Sequence, residues 1–228
     1  MKNTDTQNKY AKNLAETYDI YPRKASDALS KRIFDFLISF FLIILFSPLF
    51  VIVSVIIKLT SKGPVFYKSY RVGLCGKPFL FYKFRTMEDE ADKLLPTLLA
   101  SKKDKECPIF KIENDPRVTP IGRFLRKYSI DELPQLFNVL LGSLSLVGPR
   151  PPVPLEAIKF IEYDSRAKEI FTVKPGITCY APIMGRSNLN FQKRLELDLK
   201  YINEMNFWID LKIIFLTAIM IIKAEGAH

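Results

Sequence analysis

Few kinds of residue in this chain are equipped for chemistry. Its only histidine, His228, is the last residue, and its three cysteines, Cys75, Cys107 and Cys179, are far apart with no C-x-x-C spacing. Histidine-based acid–base chemistry and a zinc site are thereby set aside, and the odd, scattered cysteines fit a reducing compartment better than a disulfide framework. Carboxylates and cations remain. Asp131 and Glu132 are adjacent in SIDELPQLFNVLLG, a sequence that opens a helix. Such a pair can supply a nucleophile or a base, and it can equally be a cap and a dipole partner for the helix. Any metal here would be a hard, oxygen-liganded cation such as Mg²⁺.

The cations fall into comparable patterns. Lys83 and Arg85 are two apart in a period-two segment and so share one strand face, as a phosphate clamp or as a solvated edge. Arg150 stands between prolines in GPRPP, a stiff backbone that suits a pre-organised, bidentate guanidinium. Arg126 follows the helix start Thr119-Pro120 together with Arg123 and Lys127, and Arg186 follows a glycine. With 34 Lys+Arg against 24 Asp+Glu, the net charge of +10 calls for an anionic partner, which nucleic acid, anionic lipid and phosphorylated metabolites all satisfy.

The elements that must position these residues follow from the pattern. Residues 1–30 are polar without a periodic apolar face and read as a mobile or loosely helical lead-in, not a signal peptide. Residues 36–57 carry no charge, a length that at roughly 1.5 Å per residue matches a hydrocarbon core of about 30 Å. Ser47-Pro48 interrupts this run: proline kinks a helix, and the serine can satisfy a freed carbonyl. Lys31 and Arg32 precede the run, and Lys58, Lys62, Lys68 and Arg71 follow it, so both ends favour the cytoplasmic side. A re-entrant hairpin satisfies both flanks and is the preferred reading; a kinked single span is the alternative. Residues 65–72 and 79–86 read as strands joined by a Gly/Pro turn, and residues 88–106 as a charged surface helix and loop. The helix after Ser129 has two candidate registers, a Ser129/Glu132 capping box or Asp131 as N-cap, the second preferred because it keeps Pro134 in the first turn. Either puts the acid pair at a positive helix end. Residues 174–178 read as a turn. A late helix carries Leu195, Leu197, Leu199, Tyr201 and Ile202, and the last apolar stretch, residues 213–222, is too short to span; it can lie in the interface or pack on the core, the interface being preferred because Phe207 and Trp208 sit at its mouth.

In one collinear order, the blocks KRIFDF, SP, GPVFYKSYRVG, FYKFRTM, DPRVTPIGRFLRKYSIDELPQLFNVLLGSLSLVGPRP, KPGIT, LELDLKYI and FWIDLKIIFLTA resemble the small bacterial sugar transferases known as monotopic phosphoglycosyl transferases. The resemblance covers residues 31 to about 223. It implies an α+β fold: a mostly helical, membrane-associated core with a re-entrant hairpin, a small β-hairpin and amphipathic interfacial helices. The implied organisation is a polar extension over 1–30, the membrane helix over 31–60, and a catalytic domain on the cytoplasmic face of the bacterial inner membrane over 61–228. The implied activity is transfer of a phosphosugar from a UDP-sugar to polyprenol (undecaprenyl) phosphate. This would give a polyprenyl diphosphate sugar and UMP, the first membrane step of glycoconjugate synthesis, with Mg²⁺ as cofactor.

Residue by residue, Asp131 matches the nucleophile of that family and Glu132 its partner in metal or proton handling. Lys83, Arg85, Arg126, Arg150 and Arg186 match positions expected near phosphates, and Asp198 an acidic position with a metal or structural role. Membrane lipids and downstream glycosyltransferases are the further partners, and no nucleic acid is expected. The chain departs from the family pattern at Ser69, Cys179, Pro182 and Met184, which bears on nucleotide or sugar selectivity. Lacking the extra membrane helices of larger relatives, it resembles the minimal catalytic form. The rival reading is a non-catalytic, membrane-tethered module that binds anions on the same basic surface.

Overall fold

The structure, a computed structural model, describes residues 14–23, 29–88, 91, 115–185 and 189–223. Arg186, Cys107, His228 and nearly all of the charged segment 88–106 lie outside the described residues.

Helices α1 (Leu29–Leu45) and α2 (Ser47–Thr60) meet across Phe46 with a bend of 60°. The bend falls at the Ser-Pro pair as the sequence predicts. Pro48 occupies the first turn of α2, where no N–H is missed, and Ser47 Oγ donates to the Ile44 carbonyl at 2.8 Å. No single described helix is long and apolar enough to cross a membrane; the bent pair passes that test only as a unit. Its outward faces are apolar, with Phe40, Phe41, Ile44, Leu45, Val51 and Ile52 each more than half exposed. Its inward faces bury Asp35 and Ser39 on α1 and Val53 and Ile57 on α2.

Strands β1 (Phe66–Val72) and β2 (Pro78–Phe84) form the expected antiparallel hairpin, in register from Phe66↔Phe84 to Val72↔Pro78. Phe84 packs with Val53 and Ile57 of α2 and with Leu125 of α3 (Pro120–Lys127), joining hairpin and bent helices in one small core. A 3-10 turn (Ile130–Glu132) then leads into α4 (Gln135–Leu141) and β3 (Ser145–Val147). After α5 (Pro154–Tyr163) comes β4 (Gly176–Thr178), which pairs in parallel with β3. The chain closes with α6 (Tyr180–Met184), α7 (Phe191–Glu204) and α8 (Phe207–Lys223).

Two expectations are corrected. Residues 174–178 are a turn only at first: Gly176–Thr178 is a strand, allowed because a Cβ on Gly176 would lie 2.0 Å from Gly148 N. Such a long-range backbone approach leaves no local periodicity to read. The lead-in is also not detached from the fold, since Leu14 and Ile20 are buried in the main core and Arg23 N donates to the Thr172 carbonyl at 2.7 Å. Two isolated apolar side chains suffice for this docking and create no periodic face.

The main core gathers Val147 of β3, Phe171, Tyr201 of α7 and Ile213 of α8. Helix α8 buries Ile213 and Asp210 and leaves Phe207, Trp208 and Phe215 exposed. Asp210 pairs with Lys31 of α1 and accepts from the Tyr201 hydroxyl at 2.8 Å, which ties the two ends of the described fold together.

Candidate active site

The acid pair sits where two short helices meet. Thr119 Oγ1 accepts from Gly122 N at 2.9 Å and starts α3; Ser129, in the left-handed region at φ 55°, turns the chain after it. The Glu132 and Leu133 amides then bond to the Ser129 and Ile130 carbonyls at 3.1 and 3.2 Å. Neither expected helix register occurs. Pro134 has no N–H for the Ile130 carbonyl, so the chain tightens into a 3-10 turn and α4 begins only at Gln135. Asp131 and Glu132 therefore lie within the turn, and no side chain caps α4.

Lys83, at the end of β2, reaches into this turn. Its ammonium is 2.6 Å from Glu132 Oε1 and 3.6 Å from Asp131 Oδ2, and Arg150 Nη1 donates to the same Glu132 oxygen at 3.2 Å. Asn138 fixes the approach of β2 to α4: its Oδ1 accepts from Tyr82 N at 3.1 Å and its Nδ2 donates to the Leu80 carbonyl at 2.6 Å. Arg126 bears electrostatically on Asp131 and is oriented by its Nε–H to Thr86 Oγ1 at 2.9 Å.

The arginine loop is bolted down from both sides. Gly148 N donates to the Thr178 carbonyl at 2.9 Å and Gly176 N to the Pro149 carbonyl at 3.0 Å, while Val72 N donates to the Pro152 carbonyl at 3.0 Å. Arg71 Nη1 donates to the Pro151 carbonyl at 3.3 Å, with its guanidinium 5.3 Å from the Phe81 ring centre. Arg150 is thus an exposed cation on an immobilised backbone, the arrangement that its flanking prolines imply.

The two acids differ in strength. Burial pushes the Asp131 carboxyl above its usual range, the Glu132 charge adds to this, and Lys83 opposes it. Burial acts against ionisation of Glu132 too, but the Lys83 and Arg150 charges outweigh it and hold that carboxyl well below the usual range. One firmly ionised acid therefore stands beside a buried acid of greater basicity.

Of the residues singled out in the sequence, Lys83, Asp131, Glu132 and Arg150 come together, with Arg126 beside them. Arg85 does not join Lys83: its guanidinium donates to Ser61 O and Oγ at 2.9 and 2.8 Å, fastening β2 to the end of α2. Asp198 is buried on α7, where the groups that act on its carboxyl are Arg194 and Cys179 and not the acid pair. Its carboxyl is pushed up to about 6 by burial. Of the departures from the family pattern, Ser69 is buried on β1, Cys179 is buried beside Asp198, and Pro182 and Met184 lie in α6. Among the described residues no group of three or more His, Cys, Asp or Glu side chains is arranged to hold a metal. The acid pair itself offers two hard oxygen donors, a set suited to Mg²⁺, which binds through one or two carboxylates together with substrate phosphates. The sequence reading missed Asn138, Glu156 and Arg194, and placed Arg71 only as a flanking charge. Asn138 left one signal, a lone amide inside the apolar run of α4.

The mostly helical α+β core thus sets an acid pair, with Asp131 buried, among lysine and arginine near a bent apolar helix pair. The chain belongs to the bacterial sugar transferase family, whose description matches residues 26–224. It is 42% identical over 199 residues to the uncharacterized sugar transferase EpsL of Bacillus subtilis, a match covering 86% of this chain and 89% of that protein. It is 39% identical over 214 residues to the undecaprenyl-phosphate galactose phosphotransferase of Salmonella typhimurium, covering 90% of this chain and 43% of that protein. It is also 38% identical over 202 residues to the UDP-glucose:undecaprenyl-phosphate glucose-1-phosphate transferase of Escherichia coli, covering 86% of this chain and 41% of that protein. The chain thus spans nearly all of the first relative and less than half the length of the other two.

Proposed function

We propose that the protein moves a phosphosugar from a UDP-sugar to polyprenol phosphate by way of an aspartyl-phosphosugar intermediate. The observation that carries this reading is the placement of buried Asp131 beside Glu132, with Lys83 and Arg150 sharing one Glu132 oxygen. In the first step an Asp131 carboxylate oxygen attacks the sugar-bearing phosphorus. A P–O bond to the inner phosphate breaks, and UMP leaves with that electron pair. In the second step an oxygen of the lipid phosphate attacks the same phosphorus, the aspartyl–phosphorus bond breaks, and the Asp131 carboxylate is restored. No net proton is consumed on the enzyme. The raised basicity of Asp131 suits a carboxylate nucleophile, and Glu132, kept ionised by two cations, stays free of the reacting proton inventory.

A dianionic diphosphate repels an attacking carboxylate, so positive charge must precede the reaction. Lys83, Arg126 and Arg150 supply it. Glu132, together with the donor phosphates, would hold Mg²⁺, which when bound neutralises diphosphate charge and polarises the phosphorus. Arg150 orients phosphate oxygens from its fixed loop. Asp198, buried on α7 and away from the acid pair, serves this reading as a structural residue.

The bent pair α1–α2, with its apolar outward faces, is read as a re-entrant membrane hairpin that enters and leaves on the cytoplasmic side. This puts the acid pair at headgroup level, where a soluble nucleotide sugar and a lipid phosphate meet without leaving their phases. Exposed Phe207, Trp208 and Phe215 on α8 suit the same interface.

The test is UMP release from a panel of UDP-sugars by the full chain with Mg²⁺ and undecaprenyl phosphate. Lipid-dependent release from at least one donor, abolished in Asp131→Asn, is expected. An Asp131→Asn protein that turns over like the native one would sink the assignment of the nucleophile. No release with any donor by folded, membrane-bound protein would favour the anion-binding module.

A further inference from the structure

Three arginines from distant parts of the chain act on one another electrostatically, with Arg150 joining the group to the acid pair and most of their N–H donors uncommitted. Arg71 comes from β1, Arg150 from the proline loop and Arg194 from α7. Arg71 donates to Pro151 O, and its buried Nε has no partner among the described residues; Arg150 donates to Glu132. The Arg194 backbone amide donates to the Asn190 carbonyl at 3.1 Å, but its guanidinium makes no hydrogen bond or ion pair among the described residues.

Helix packing sets this arrangement. On α7, Phe191, Arg194 and Asp198 recur at helical spacing and form one stripe; on α5, Glu156, Phe160 and Tyr163 form another. The stripes face each other in opposite directions, since the Phe191 ring centre lies 4.7 Å from that of Phe160 and 5.3 Å from that of Tyr163. Arg194, one turn beyond Phe191, is thereby carried towards Glu156, in the first turn of α5 and four residues past Pro152 of the proline loop. Glu156 bears electrostatically on all three arginines, and Arg150 on both of the others. Glu156 does not consume their donors: its Oε2 accepts from Val153 N at 3.2 Å, and it forms no hydrogen bond or ion pair with the three arginines among the described residues. Guanidiniums within electrostatic reach of a carboxylate that does not bind them leave forked donors for an outside anion.

We propose that Arg71, Arg150 and Arg194, gathered around Glu156, form a second phosphate subsite adjoining the acid pair, with Arg194 as its dedicated ligand. The proposal rests on the transfer reaction above. That reaction needs places for two phosphate-bearing groups, the diphosphate of the donor and the monophosphate of the acceptor lipid, and the subsite takes one of them. Asp198, one turn further along α7, bears on Arg194 electrostatically.

The experiment compares the native full chain with Arg194→Gln, Arg194→Lys and Glu156→Gln. Arg194→Gln raises the KM of one phosphate substrate by about tenfold, the loss of one charge-assisted contact. If that substrate is undecaprenyl phosphate while UMP release in the first half-reaction is unchanged, the subsite belongs to the acceptor. If it is the UDP-sugar and the first half-reaction slows, the subsite belongs to the donor. Arg194→Lys restores part of the loss. Glu156→Gln, which keeps an acceptor for Val153 N and removes the opposing charge, shifts the same KM downwards.

Calorimetric titration of inorganic phosphate reads the subsite without turnover. Affinity weaker by about tenfold in Arg194→Gln and tighter in Glu156→Gln supports it. Equal phosphate affinity in all four proteins, or unchanged KM values for both substrates in the variants of an active enzyme, overturns it. Native protein that binds phosphate in this pattern but transfers no sugar phosphate would instead contradict the transfer reading.

Discussion

A single oxygen of Glu132 receives both Lys83 and Arg150, so the three side chains act as one unit. Deleting one member leaves a charge in a poorly solvated site. Lys83→Met is expected to lower turnover by about 100-fold or more. It should also cost roughly 2 kcal/mol of stability, read from the same protein's denaturant midpoint. Asp198 gives a prediction with a defined sign. Its folded carboxyl sits at about 6, above its ordinary 3.8, so the folded state binds the proton more tightly than the unfolded chain. Its contribution to stability is therefore present at low pH and lost as the pH rises through about 6. Asp198→Asn should be more stable than the native protein at pH 7.5, by up to roughly 3 kcal/mol, with the advantage vanishing towards pH 4 in paired thermal melts. A constant difference across that range would remove burial of the charge as its cause.

The acid pair and the cations at 83, 126 and 150 were legible by residue type. The uses of Arg71, Asn138 and Arg194 were not, because each is defined by a partner from another segment of the chain.

At the scale of elements, local chemistry was legible wherever it governed the outcome. Ser47-Pro48 bends the helix pair, Thr119-Pro120 starts α3, and the alternation on either side of the Gly/Pro turn forms the β-hairpin. The parallel β3–β4 pair was not legible, because it depends on the contact of two glycines 28 positions apart in the chain (148 and 176). That contact also anchors the backbone carrying Arg150. Gly176→Ala would place a Cβ 2.0 Å from Gly148 N, so the strands must separate. The expected result is a loss of about 2 kcal/mol or more in chemical denaturation, with a fall in turnover beyond what the unfolded fraction explains. Turnover falling only in step with folding would mean that β3–β4 supports the fold without aiming Arg150. The 3-10 turn at Asp131 was misread for a related reason: the missing Pro134 N–H defeats the Ser129 register, and the Asp131 register gives way to the 3-10 bond from Leu133 N to the Ile130 carbonyl.

For the whole molecule, the proposed transfer requires an orientation of the bent pair that lets soluble donor and lipid acceptor reach one site. A re-entrant hairpin keeps residues 30 and 62 on the same side of the membrane. With Cys75, Cys107 and Cys179 replaced by alanine, single cysteines at Ser30→Cys and Lys62→Cys should both react with an impermeant maleimide from the cytoplasmic face of inverted vesicles. Labelling from opposite faces would identify a kinked single span and require another route for the lipid phosphate.

The covalent step is the claim on which the rest depends, and the mass of the intact protein reports it. Full-length protein mixed with Mg²⁺ and an accepted UDP-sugar, without lipid, should gain the mass of one phosphosugar, mapped to Asp131 and discharged by undecaprenyl phosphate; Asp131→Asn should gain none. Native protein that never carries the adduct, yet releases UMP only when donor and lipid are present together, would contradict the account and indicate direct transfer between the two substrates.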